Sequence, residues 1–121
     1  MKTKLILTAL AILVARAIYA TDVPPVGSSA PDFSLTDAKG KAHSLSGYKG
    51  KYVVLEWFNP ECPFVKKHYG SGNMQKLQED YTGKGVVWLT IDSSAPGTEG
   101  NLTPEQAQKK MTEWKDRKSV V

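Results

Sequence analysis

The chain has 121 residues, 16 basic against 12 acidic, with 40% hydrophobic residues and a single cysteine. That length holds one small domain at most, and a lone cysteine excludes an internal disulfide framework. The net charge of +4 does not argue for a nucleic-acid partner, because much of it sits in the first 20 residues.

Lys2 and Lys4 precede an apolar stretch over residues 5–15, and Ala17 and Ala20 follow. This is the composition of an export signal over residues 1–20. The stretch is short of the roughly 20 residues that span a bilayer. Arg16 lies awkwardly close to the cleavage region, so an uncleaved N-terminal anchor in the inner membrane is the alternative. Without the signal, 13 basic residues face 12 acidic ones, and neither a nucleic acid nor an anionic membrane is expected as partner. Residues 21–121 form the expected domain, in a periplasmic or secreted location. An unpaired thiol in such an oxidising compartment is either protected by burial or kept for reaction.

Residues 21–31 are rich in Pro, Ser and Gly and read as an irregular lead-in. Phe33-Ser34-Leu35, the turn-rich Asp37 to Lys41 and His43-Ser44-Leu45 predict a β-hairpin, with His43 at a solvated strand position. Residues 52–58 are apolar on both alternating faces apart from Glu56, which predicts a central strand covered on both sides. Pro63 suits a first helical turn. The helix it opens breaks at Gly70-Ser71-Gly72, and Asn73 is positioned to cap a second piece whose buried stripe is Met74, Leu77 and Tyr81. Residues 86–91 predict a second buried strand, and Asp92 leads into a polar loop. Thr103-Pro104-Glu105-Gln106 is a capping box for a helix whose apolar face is Ala107, Met111 and Trp114. Residues 116–121 hold no further complete element. Strand alternating with helix predicts an α/β architecture with a parallel pair.

Cys62 stands where the apolar run meets the turn Asn59-Pro60-Glu61 and the helix opening at Pro63. Unpaired N–H groups and the positive end of the helix dipole favour a thiolate at such a junction. The alternative is a small buried apolar residue. Lys66, four residues on, shares the helix face and adds positive charge, unless it is simply a solvated lysine. Glu56 shares a strand face with Val54 and Phe58. If buried, it can trade a proton near neutral pH; if the strand is exposed there, it is merely solvated. One cysteine and two scattered histidines make no metal site, and no organic cofactor is implied.

These residues resemble the thioredoxin-fold redoxins of the alkyl hydroperoxide reductase and thiol-specific antioxidant group, in a peroxiredoxin-like branch. The likeness runs from about Val26 to Trp114. It is carried by Gly27-Ser28-Ser29-Ala30-Pro31-Asp32-Phe33, by the segment from Leu45 to Leu55, by Asn59-Pro60-Glu61-Cys62-Pro63-Phe64-Val65, and by Ile91-Asp92-Ser93-Ser94. The resemblance implies a thioredoxin-like fold with an N-terminal β-hairpin, and an exported oxidoreductase with antioxidant activity. Cys62 would be its nucleophile and Glu56 the buried acid that moves protons. A disulfide or peroxide would be the substrate, and an external thiol or thioredoxin-like protein the reductant.

Three departures qualify the resemblance. Val65 occupies the place of the second cysteine of C-x-x-C, so no intramolecular resolution is expected. Leu55 and Asn59 replace the proline and threonine of the peroxiredoxin pattern P-x-x-x-T-x-x-C. Nothing after Trp114 resembles the family's remaining strands, so the fold is expected to be incomplete at the C-terminus, with an unpaired sheet edge. A non-catalytic thioredoxin-fold module, or an inactive truncated remnant, is the competing reading.

Overall fold

The described polypeptide consists of short strands and short helices. The computed structural model describes residues 23–115 and the strand Ser119–Val120. The export segment expected over residues 1–20 lies outside the described residues. The chain divides into two units, Met1–Pro31 and Asp32–Val121. The described part of the first holds a turn in which Ser28 N and Oγ both donate to Pro25 O, at 3.0 and 2.6 Å.

In the second unit, β1 (Ser34–Thr36) and β2 (Ala42–Ser44) pair antiparallel, with Leu35 opposite His43. The hairpin forms because Asp37 Oδ1 accepts from Lys39 N and Lys41 N, both at 2.9 Å, while Gly40 takes φ +82°. An aspartate followed by a left-handed glycine is the turn chemistry this geometry requires. His43 is not solvated as expected. It is 5% exposed, with Nε2 2.9 Å from Asp37 Oδ2 and Nδ1 bonded to the Tyr48 hydroxyl. The turn carboxylate and the tyrosine of the following 3-10 turn, Leu45–Tyr48, supply the partners that burial of an imidazole requires.

The main sheet has the order β3-β4-β5, all parallel, with β3 at Val53–Trp57, β4 at Val87–Ile91 and β5 at Ser119–Val120. Two expectations change here. The strand Ser119–Val120 pairs with β4 where no further element was expected. And β3 is an edge, not a central strand, among the described residues: it pairs with β4 alone. Its alternate residues Leu55 and Trp57 are 36% and 64% exposed. An apolar run reports that a strand can be covered on both faces, but the partners must exist elsewhere in the fold.

Helix α1 (Pro63–Gly70) and helix α2 (Asn73–Thr82) join β3 to β4, and α3 (Pro104–Glu113) follows β4. The break between α1 and α2 passes through Gly72 at φ +77°, which is itself the cap residue of α2. Asn73 is therefore inside the helix, its amide Nδ2 3.2 Å from His68 Nδ1. The expected stripe on α2 is also displaced. Leu77 and Tyr81 are 36% and 44% exposed, and the buried residue is Gln78, at 1%. On α3 the capping box of Thr103 and Gln106 forms as expected.

The core above β3 is aromatic. Phe58 meets the edges of Tyr69 on α1 and Trp114 after α3, each at 5.6 Å between ring centroids, and Tyr69 and Trp114 lie 5.0 Å apart. Burying one such ring contributes about 2–3 kcal/mol. Gln75 Nε2 clips the cluster by donating to Tyr69 O at 2.9 Å and Trp114 O at 2.7 Å. Phe58 is the residue at which β3 leaves the sheet, so this packing fixes where the next turn begins.

Candidate functional site

That turn is built by the backbone. Phe58 N donates to Ile91 O at 2.9 Å as the last bond of the β3–β4 ladder, and Cys62 N donates to Asn59 O at 3.1 Å. Pro60 takes the second position of the turn, where its fixed φ is pre-set, and is buried. Asn59 Oδ1 accepts from Glu61 N at 2.8 Å, so one asparagine holds two successive backbone amides. Cys62 is the N-cap of α1, with Pro63 at the first helical position. Its own side chain makes no capping hydrogen bond, and it is a free, half-buried thiol.

Two neighbours of the cysteine pair with each other. Lys66 Nζ donates to Glu61 Oε2 at 2.7 Å, with both side chains half exposed. Hydrogen bonding from Lys66, then its charge and that of Lys110, hold the Glu61 carboxyl below its ordinary value of 4.5. A depressed carboxyl stabilises the fold above the unfolded value and loses that contribution as pH falls through the folded value. Glu61→Gln should therefore lower the melting temperature slightly at pH 6, by an amount that shrinks as the pH is lowered, measured by thermal unfolding from pH 6 to pH 3.

Glu56 belongs to a second cluster. Its carboxylate accepts from Tyr69 OH at 2.9 Å, Trp88 Nε1 at 2.8 Å and Gln78 Nε2 at 3.3 Å. Gln78 Nε2 also reaches Tyr69 OH at 3.1 Å. Three donors thus converge on one side chain, drawn from three different elements. Tyr69 lies seven residues along the helix from Cys62, about 10 Å of rise, and none of the hydrogen bonds of Glu56 goes to the cysteine. The structure thus gathers Asn59, Pro60, Glu61 and Cys62 in one turn with Pro63 and Lys66 on the start of α1, and Glu56 bonds to Tyr69 in the further part of that helix. Thr90 is in register with Glu56. Its hydroxyl and Gln78 Oε1 are buried without hydrogen-bond partners.

Sequence reasoning missed Tyr69, Gln78 and Trp88. An isolated glutamate in an apolar strand signals that donors must be found, but three separate elements supply them. It also missed how the β4–α3 loop is closed. Asp92 Oδ1 accepts from Ser94 N and Oδ2 from Leu102 N, both at 2.9 Å, so one carboxylate clasps both ends. Among the described residues, no three His, Cys, Asp or Glu side chains gather as a metal-binding group.

The sequence profile of the AhpC/TSA family matches residues 26–120. Over 71 residues the chain is 39% identical to the thiol-disulfide oxidoreductase ResA of Geobacillus kaustophilus, which covers 59% of this chain and 40% of that one. The chain thus spans about two fifths of the length of the curated relatives it matches. It superposes on an uncharacterized conserved protein from Geobacillus kaustophilus with a TM-score of 0.70 at 27% identity, covering 83% of this chain and 53% of that one. The thioredoxin domain of a thiol-disulfide oxidoreductase from Bacteroides vulgatus gives 0.59 at 24% identity, covering 81% and 64%. The fold is thioredoxin-like, mixing helices and strands as the sequence predicts.

Proposed function

Since the chain belongs to the AhpC/TSA family, we propose that it is a thiol-dependent oxidoreductase that exchanges disulfides through Cys62. The observation that carries this reading is the position of Cys62, a free thiol at the N-cap of α1, where helix geometry favours a thiolate. The relatives named as thiol-disulfide oxidoreductases support it.

In the forward step the Cys62 thiolate attacks one sulfur of a substrate disulfide. A bond forms between that sulfur and Sγ, the substrate S–S bond breaks, and the second substrate sulfur leaves as a thiolate that takes up a proton. An external reductant, small or a thioredoxin-like protein, then supplies two thiols. One attacks Sγ and releases the bound substrate sulfur as a thiol; the second attacks the reductant sulfur now joined to Sγ, forming the reductant's own disulfide and returning the Cys62 thiolate. Val65 stands where an internal resolving cysteine would, so both steps are intermolecular. Glu56 is the proposed acceptor of the proton that the Cys62 thiol gives up as its thiolate forms, and Lys66 with Asn59, Pro60, Glu61 and Pro63 shapes the turn and helix start that present the sulfur. Export to a periplasmic or secreted location, directed by residues 1–20, completes the reading.

Family membership also supports an antioxidant reaction of the same thiolate. Attack on a peroxide oxygen breaks the O–O bond, leaves a sulfenic acid on Cys62 and releases an alkoxide that is protonated; two external thiols then restore the cysteine with loss of water. Leu55 and Asn59, in place of proline and threonine, weigh against it. Parallel assays of disulfide reduction and peroxide consumption by the full chain test the assignment. Disulfide reduction well above peroxide consumption is expected; the opposite ranking would reverse the choice of substrate.

The residue after Pro63 indicates the kind of substrate. Phe64 is 72% exposed, a large ring in the first turn of α1, two residues after the thiol. Rings in that setting are used to dock partner proteins. Phe64→Ser is expected to slow reduction of a protein disulfide about tenfold, the weight of a modest interface anchor, while leaving a small aryl disulfide unaffected. Equal slowing with both substrates would remove the docking role.

A further inference from the structure

Gly100, in the loop between β4 and α3, is buried and has φ +90°. A Cβ placed there would lie 2.5 Å from each of Cγ, Nδ2 and Oδ1 of Asn59. A point equidistant from those three atoms sits over the flat face of the amide, so the glycine backbone is stacked on the Asn59 side chain. That amide is the one whose oxygen holds Glu61 N, and the main-chain oxygen of the same residue holds Cys62 N. The loop is kept in place at its base by the Asp92 clasp on Ser94 and Leu102. Within the loop, Asn101 Nδ2 donates to Ser94 O at 3.1 Å and Asn101 N to Thr98 O at 3.2 Å.

We infer that Gly100 is a positioning residue for the thiol. Its bare backbone presses the Asn59 amide into the one orientation that orders the Asn59–Cys62 turn. This rests on the reading of Cys62 as the attacking thiol. A natural control lies in the same loop. Gly97 has φ +80° with nothing within 4 Å of a built Cβ, so Gly97→Ala carries the backbone strain of a left-handed alanine without the collision.

The test compares Gly97→Ala, Gly100→Ala, Asn59→Ala and Asn59→Ala/Gly100→Ala in the full chain. It reads melting temperature, Cys62 alkylation by iodoacetamide, and hydrogen exchange at the Glu61 and Cys62 amides. Both glycine variants are expected to lower the melting temperature. Of these two, only Gly100→Ala should slow alkylation, by about fivefold, the size of a coupling between touching residues, and only it should speed exchange at the Glu61 and Cys62 amides. In the Asn59→Ala background Gly100→Ala should add nothing to either readout. Matching behaviour of the two glycine variants overturns the inference, as does an undiminished Gly100→Ala effect in that background. If Gly100→Ala alone does not fold, the double variant should, since the obstructing amide is gone; an unfolded double variant also overturns it. Wild-type alkylation no faster than that of the unfolded chain would instead overturn the exchange reading, and the amide exchange data would still decide the contact.

Discussion

Cys62→Ser is expected to abolish disulfide exchange, with a loss of at least about a thousandfold, as removal of an enzyme nucleophile does, and to leave the fold intact. The chain holds no second sulfur nucleophile, so nothing can substitute at the same turn. A serine hydroxyl without a dedicated base is a weak nucleophile at neutral pH. The exchange of one small atom leaves the Cys62 N to Asn59 O bond in place. Serine is moreover among the preferred N-cap residues, and the present cysteine makes no cap bond, so stability should stay level or rise by about 0.5–1 kcal/mol. Thermal unfolding beside the exchange assay separates the two effects. A variant that keeps its exchange rate would mean that the chemistry lies elsewhere.

The second large effect is expected at Glu56, where shape and charge can be separated. Glu56→Leu removes the carboxylate that accepts from Tyr69 OH, Trp88 Nε1 and Gln78 Nε2, while Gln78 Nε2 keeps its bond to Tyr69 OH. Tyr69 and Gln78 are 3% and 1% exposed, so water cannot replace the carboxylate easily. Losing the shared acceptor of this part-buried cluster should cost about 3 kcal/mol, or roughly 15 °C in melting temperature for a domain of this size. Glu56→Gln behaves differently. Its carbonyl can face Trp88 and Gln78 while the Tyr69 hydroxyl turns to accept from its amide, so most of the network survives. That variant should fold with a loss of about 1 kcal/mol. If Glu56 accepts the proton in exchange, Glu56→Gln should also flatten the pH dependence of the reaction. An unchanged pH profile would leave Glu56 a purely structural acceptor.

How far the sequence carried the interpretation depended on the range of the forces involved. The hairpin, the capping box at Thr103 and Gln106, and the start of α1 at Pro63 are set by residues a few positions apart, and each formed where its local chemistry placed it. The edge position of β3 depends on which strands lie beside it, which no run of valines encodes. On α2, Gln78 is buried in place of Leu77 and Tyr81 because Glu56, 22 residues earlier, draws its amide inward. His43 is buried for a similar reason, since Asp37 and Tyr48 converge on it. At the site itself, the junction around Cys62 was legible because strand, turn and helix are consecutive. The Asn59–Gly100 contact was not, because it joins residues 41 positions apart in the sequence, and a glycine reveals what it touches only in three dimensions.

The most direct measurement is the rate at which Cys62 forms a mixed disulfide with a small aryl disulfide at neutral pH, in the folded chain and in the same chain unfolded in urea, with the adduct located by mass spectrometry. A nucleophile held at the head of α1 should react at least about tenfold faster when folded, since a helix N-terminus promotes thiolate reactivity. Reaction equal to or slower than that of the unfolded chain would show that the fold conceals this sulfur and does not activate it.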